Sequence, residues 1–281
     1  MLKTGKMLRG IKAESPDPTS EVLNRWHRDG YCVGQGLFSE QELLVFRQRA
    51  LELARQFNGD DIVDREIPVD LLSDAVFQSL VLDTRILSLA RELLGPRIVY
   101  FGDSKVTIIR NAWGQFHKDN GRRGPWPRGA GYDPFDPHEG PYNVLRFLIY
   151  LQDHQKVSGN LRIKRGSHRL PFSRLTFWPR DLLFWLMKRL KTFPSPHGGK
   201  RVNLNTALGD VVAFNLRTTH GPNALRIKGL PRLVVDPAIE KLVPPFLRES
   251  KPSLRIALII TLGAPGVHLD RFLHSRIRRA C

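Results

Sequence analysis

Apolar residues recur at intervals of three and four through the first third of the chain, and further on they alternate with polar residues or run together. The first pattern marks helices that lay one stripe against a core, and the second marks strands. Glu21 to Asp29 reads as a short helix closed by Gly30, followed by a short strand at Tyr31-Cys-Val-Gly. In Ser39-Glu-Gln-Glu42 the serine can cap a helix start and the glutamate can reach back to it. Leu43, Phe46, Ala50, Leu53 and Phe57 then keep helical spacing. A second helical stretch, Asp70 to Leu94, is broken near Asp83 and stops at Gly95-Pro96.

After Pro96 the character is β. Strands are predicted at Arg97 to Phe101, Lys105 to Asn111, Val144 to Asp153, Leu161 to Lys164, Val211 to Leu216 and Leu254 to Leu262. The two-residue period puts Lys105, Thr107, Ile109 and Asn111 on one face, a partly polar surface that suits a ligand pocket. In Val144 to Asp153 it separates a core face of Leu145, Phe147, Ile149 and Leu151 from a face of Arg146, Leu148, Tyr150 and Gln152. In the last strand Arg255 shares a side with Ala257, Ile259 and Thr261. An arginine on the apolar side of a buried strand needs an anion, since its burial alone is costly. The chain therefore reads as a helical layer followed by a sheet-rich half, mainly β with flanking helices, in the α+β class.

Five stretches stand apart. Gly121 to Tyr142 is a long Gly/Pro-rich segment with the character of a lid. Phe172 to Leu190 mixes Phe177, Trp178, Phe184 and Trp185 with Arg174, Arg180, Lys188 and Arg189, as expected either of a basic helix that touches a membrane surface or of an inserted helix packing on the sheet. Arg226 to Lys251 is loop-like, residues 1–20 read as a flexible start, and residues 264–281 as a basic tail.

Composition narrows the setting. At 281 residues and 41% hydrophobic content the chain can bury a substantial core. Two cysteines, Cys32 and Cys281, make no disulfide framework and point to a reducing compartment. The basic N-terminus lacks the apolar core of a secretory signal, and no apolar run has the length that spans a bilayer, so a soluble cytoplasmic protein is expected. The formal net charge of +17 favours an anionic ligand. The basic residues are scattered and form no recognisable nucleic-acid module, so nucleic acid is not the expected partner.

The candidate chemistry starts from a pattern that occurs three times, His-x-Asp at His27/Asp29, His117/Asp119 and His268/Asp270. Context separates them. His27 lies in the first helix and His268 in the basic tail, whereas His117 follows an apolar strand and has a downstream partner in His220. Two imidazoles and a carboxylate can occupy one face of an octahedral metal and leave three adjacent positions open, the usual arrangement of non-haem Fe(II) oxygenases. A zinc hydrolase uses similar ligands. If the co-substrate is 2-oxoglutarate, its far carboxylate needs an anchor, and a guanidinium supplies the planar two-bond match. Arg255 is favoured over Arg226 and Arg232, which sit in a Gly/Pro segment where exposed charge is ordinary. His168, at a turn, is read as a structural hydrogen-bonder.

Gly30-Tyr31 and Leu37-Phe38-Ser39, then His117-x-Asp119, then Tyr150-Leu151-Gln152-Asp153 with Ser158-Gly159-Asn160-Leu161 and Gly166-Ser167-His168, then Gly209-Asp210, His220-Gly-Pro-Asn223 and Arg255, together resemble the phytanoyl-CoA dioxygenase family over residues 21–263. The resemblance implies a double-stranded β-helix (a cupin-like jelly roll) that uses Fe(II), O₂ and 2-oxoglutarate and yields an oxidised, typically hydroxylated, product with succinate and CO₂. It makes His117, Asp119 and His220 the iron ligands and catalytic set, Arg255 the carboxylate anchor, and Thr107 a residue near 2-oxoglutarate. Residues 21–263 then form one jelly-roll domain with insertions at about 121–142, 170–205 and 226–251. Arg255 lies 35 residues beyond His220, farther than the family's usual spacing. The substrate expected is small or lipid-like, with an anionic one favoured by the charge, and peripheral membrane contact through residues 172–190 fits the same reading. The alternative is a non-catalytic jelly-roll module binding anionic lipid or nucleic acid.

Overall fold

Short carboxylates and one serine set the helix starts. The Ser39 hydroxyl accepts from the Glu42 N–H and the Glu42 carboxylate accepts from the Ser39 N–H, so the expected capping box opens α2, Glu40–Asn58. Asp74 accepts from the N–H groups of Val76 and Phe77 at the start of α3, Ala75–Val81, and Asp83 accepts from Arg85 N–H at the start of α4, Thr84–Leu94. The break predicted near Asp83 is thus a second N-cap. The first helix, α1, runs Pro18–Asp29. The buried stripe of α2 stops at Ala54, and Phe57, which keeps the spacing, is exposed.

The computed structural model of the chain describes residues 18–59, 62, 65–109, 117–119, 142–153, 161–169, 200–204, 206–221, 227–230, 243–247 and 255–280. Of the features expected from sequence, the flexible start up to residue 17, the lid segment up to residue 141, the aromatic-basic segment of residues 172–190, Arg226 and Arg232 lie outside the described residues.

Ten strands are described: β1 Tyr31–Gly34, β2 Arg65–Pro68, β3 Val99–Tyr100, β4 Lys105–Ile109, β5 Val144–Tyr150, β6 Arg162–Arg165, β7 Lys200–Asn203, β8 Val211–Asn215, β9 His220–Gly221 and β10 Arg255–Gly263. The larger sheet has the order β1-β8-β5-β10-β4-β2, with β3 also on β10, and the smaller has the order β7-β6-β9; every pairing is antiparallel. Among the strands too short or too polar to stand out in sequence are β2 and β7. β2 is held by pairing with β4, and β7, inside the stretch read as the 170–205 insertion, by pairing with β6.

The period-two faces sort as expected. One face of the larger sheet, with Leu145, Phe147, Ile149, Leu151, Val211, Ala213, Ile256, Leu258 and Ile260, packs under the helices around Trp26, Leu43, Phe46, Phe77, Leu80 and Ile86. The other face brings Tyr31, Leu148, Tyr150, Val212, Phe214 and Ala257 against Leu161, Ile163 and Leu204 of the smaller-sheet side, so the two sheets enclose an interior. Residues 264–281, read as a tail, contain instead the helix α5, Val267–Ala280. Leu269 and Phe272 of α5 are buried against Tyr142, Val144 and Leu216, which gives that segment an apolar face to dock on.

Candidate metal centre

The edge of the smaller sheet positions the first two side chains. His117 and His220 form an isolated antiparallel bridge in which each N–H donates to the other's carbonyl at 2.9 Å. Facing residues of such a pair project to the same side, and their rings lie 4.4 Å apart between centroids. Two residues on, the Asp119 N–H donates to Leu216 O at 3.2 Å, which brings the carboxylate back beside both imidazoles. The Asp119 oxygens stand 3.7 Å from His117 Nε2 and 3.5 Å from His220 Nε2.

One ligand atom from each of His117, Asp119 and His220 lies within 4.8 Å of the others, and this is the one such group of His, Cys, Asp or Glu side chains among the described residues. Donors about 2.1 Å from a common ion and at right angles to one another are about 3 Å apart, so these separations need only small closure to hold a divalent metal. The His117 side chain is 49% exposed, against 14% for Asp119 and 7% for His220, so the group is walled on one side and open on the other. The other two His-x-Asp pairs are not assembled this way. His27 is an exposed helix residue whose neighbour Asp29 is held by Arg28 and Arg165, and His268 is buried beside Tyr142 with Asp270 exposed.

Protonation favours metal binding. His220 Nδ1 donates to Thr218 O at 3.0 Å, which leaves the lone pair on Nε2, the atom that faces Asp119. Burial pushes this imidazole down to about 4, so it is neutral at physiological pH. Burial pushes the Asp119 carboxyl up, but the Arg146 guanidinium and the two imidazoles outweigh it and hold the group well below the usual carboxylate range. Lys118, between the two ligands, turns the other way and donates to Ser167 O at 2.7 Å.

The residues expected around a co-substrate lie on the interior face of the larger sheet. Arg255 opens β10, is buried, and donates to the Tyr150 hydroxyl, which partly offsets the upward push of burial on that phenol. Thr107 pairs with Ala257, two residue pairs along from Arg255, and its hydroxyl donates to Ala257 O at 3.3 Å. His168 stands apart as a structural group, its Nε2 donating to His27 O at 3.1 Å.

Arg146 is a further charged group at the site that no motif in the sequence marks out. Its guanidinium, on the interior face of β5, reaches Asp119 Oδ2 and Asp103 Oδ2 at 2.6 Å each, and its Nε donates to Thr261 Oγ1 at 2.9 Å. A signal is present in the sequence all the same, because Arg146, like Arg255, is a charge on the interior side of a buried strand. Asp103 sits in a turn and carried no signal.

A family model described as Phytanoyl-CoA dioxygenase (PhyH) matches residues 26–226, well over half of the chain. An ectoine dioxygenase of Nocardia farcinica (strain IFM 10152) is 29% identical over 178 residues, which take in 56% of this chain and 55% of that enzyme, so the match spans about half the length of this relative. Among solved structures, HygX from Streptomyces hygroscopicus with nickel and 2-oxoglutarate bound is 18% identical with a TM-score of 0.57, covering 89% of this chain and 88% of HygX. EctD from S. alaskensis in its apoform is 18% identical with a TM-score of 0.55, covering 91% and 80%. At these identities the structures speak to the fold, which they share with this chain.

Proposed function

Given that the chain belongs to the phytanoyl-CoA dioxygenase (PhyH) family, we propose that it is an Fe(II)- and 2-oxoglutarate-dependent dioxygenase in which His117, Asp119 and His220 hold the iron. The observation that carries this is the convergence of those three side chains, with ligand atoms within 4.8 Å, on the open edge of the jelly roll. The donor set fits, because two imidazoles and an ionised carboxylate make one face of an octahedral ion. When bound, Fe(II) with 2-oxoglutarate and O₂ supplies the oxidation, the co-substrate being converted to succinate and CO₂ as oxygen is delivered to the substrate.

The chain's own groups bind and orient. His220 offers Nε2 because Thr218 O holds the proton on Nδ1. Asp119 stays ionised beside Arg146. Arg255, buried on the interior face, is assigned to the far carboxylate of 2-oxoglutarate, where its planar fork gives two parallel hydrogen bonds. Thr107 is assigned to the wall of the same pocket. The substrate is small or lipid-like, and the net charge of +17 favours an anionic one. No helix among the described residues is long and apolar enough to cross a membrane.

Anaerobic addition of Fe(II) and 2-oxoglutarate to the metal-free protein is expected to produce a weak visible charge-transfer band, and admission of O₂ to release succinate slowly without substrate. Absence of both, with no effect of His117→Ala on either, would sink the assignment.

A further inference from the structure

Arg146 presents a problem in charge. It is a buried guanidinium in direct contact with a carboxylate assigned to bind a dication, and Arg146 alone would neutralise Asp119 and oppose the metal. The structure supplies a second carboxylate on the same fork. Arg146 Nη1 takes Asp119 Oδ2 and Nη2 takes Asp103 Oδ2, both at 2.6 Å. Thr261 locks the pair, accepting from Arg146 Nε at 2.9 Å and donating to Asp103 Oδ2 at 3.2 Å. The three elements that meet here are far apart in sequence: the turn before β4, strand β5 and strand β10.

We propose that Arg146 and Asp103 are positioning residues acting as a charge-balanced clamp: Arg146 fixes Asp119 through Oδ2, leaving Oδ1 toward His117, and Asp103 balances the guanidinium so that Asp119 remains a full-strength metal ligand. The inference rests on the reading of His117, Asp119 and His220 as a metal site. The bookkeeping is simple. Asp119, Arg146 and Asp103 together carry one net negative charge; loss of the Asp103 charge makes the trio neutral, and loss of both Asp103 and Arg146 charges restores one negative charge on Asp119. Metal affinity tracks that sum, although neither Asp103 nor Arg146 belongs to the ligand set. A purely structural role for the two residues predicts instead that their losses accumulate.

Mn(II) alone, titrated into metal-free full-length protein and followed by the EPR signal of the free ion, separates the two. Asp103→Asn keeps shape and hydrogen bonding and is expected to weaken Mn(II) binding at least fivefold. Asp103→Asn combined with Arg146→Gln is expected to bring the affinity back to within about twofold of wild type. The comparison uses no variant that leaves two carboxylates facing each other without a cation, so it does not depend on Arg146→Gln folding alone. An Asp103→Asn protein that binds within twofold of wild type, or a double variant as weak as Asp103→Asn, overturns the clamp while the metal site stands. Wild-type protein that takes up no Mn(II), in a preparation whose circular dichroism shows it folded, overturns the metal reading and the clamp with it.

Discussion

His117 and His220 exchange both of their backbone hydrogen bonds at 2.9 Å, so the main chain sets the spacing of the two imidazoles. The pair is the edge of the smaller sheet, and its geometry is therefore in place before any ion arrives. Preorganisation of this kind spares metal binding the entropy of ordering a loop.

The two histidines nevertheless differ in what they do for the fold. His117 is half exposed, whereas His220 is buried against Phe214 and bonded to Thr218 O. His117→Ala and His220→Ala are both expected to abolish tight divalent-metal binding. In metal-free protein His117→Ala should cost less than about 0.5 kcal/mol, and His220→Ala about 1–3 kcal/mol from the lost hydrogen bond and the cavity. Denaturant unfolding of the two metal-free variants checks the difference.

Arg255→Lys keeps the charge at the start of β10 but removes the fork. The expectation is a tenfold or greater rise in the Kd for 2-oxoglutarate, with Mn(II) affinity unchanged, read by anaerobic titration of the two ligands separately. An unchanged Kd would move the anchor to another residue.

Gly209 has φ +92°, and a Cβ there would lie 2.1 Å from Phe38 O, the carbonyl of a residue whose N–H donates to Gly209 O at 3.1 Å. The obstacle is backbone, which cannot rotate away. Gly209→Ala is expected to destabilise the protein by more than about 3 kcal/mol, with about 1–2 kcal/mol of it from the left-handed backbone and the rest from displacing the β1–α2 connection. A thermal or denaturant midpoint close to wild type would refute this. Beside it Asp210 accepts from Gly36 N and Ala207 N at 2.8 Å each, so the Gly-Asp pair is a structural joint between the connection and β8.

Acid should loosen the fold through His168. Burial lowers this imidazole from its ordinary 6.5 to about 4, so below pH 6.5 the unfolded chain takes up a proton that the folded chain refuses until near pH 4. The contribution of His168 to stability is thus complete above pH 6.5 and is lost as the pH falls from 6.5 to 4. His168→Gln can keep the bond to His27 O without titrating, and its unfolding free energy is expected to fall less steeply over that window than that of wild type. Identical slopes from pH 7 to 4 would refute the assignment.

Local chemistry determined much of this in advance. The capping box at Ser39, the break at Asp83 and the faces of β5 and β10 all depend on residues within a few positions of one another, and such short-range preferences are written into the sequence, whereas the choice of His117 over His27 and His268 also needed its partner His220 far downstream. The order of motifs that resembles the phytanoyl-CoA dioxygenase family carried the fold and the expected iron chemistry. Strands β2 and β7 were hidden because their pairing partners, not their own residues, make them strands, and helix α5 was hidden because its apolar face is defined by Tyr142, Val144 and Leu216 far away. Only the tertiary structure brought Arg146 onto Asp119 and gathered Asp103 and Thr261 around Arg146, through contacts spanning 27 to 158 positions along the chain. Such contacts depend on where strands come to lie side by side, which no local pattern encodes.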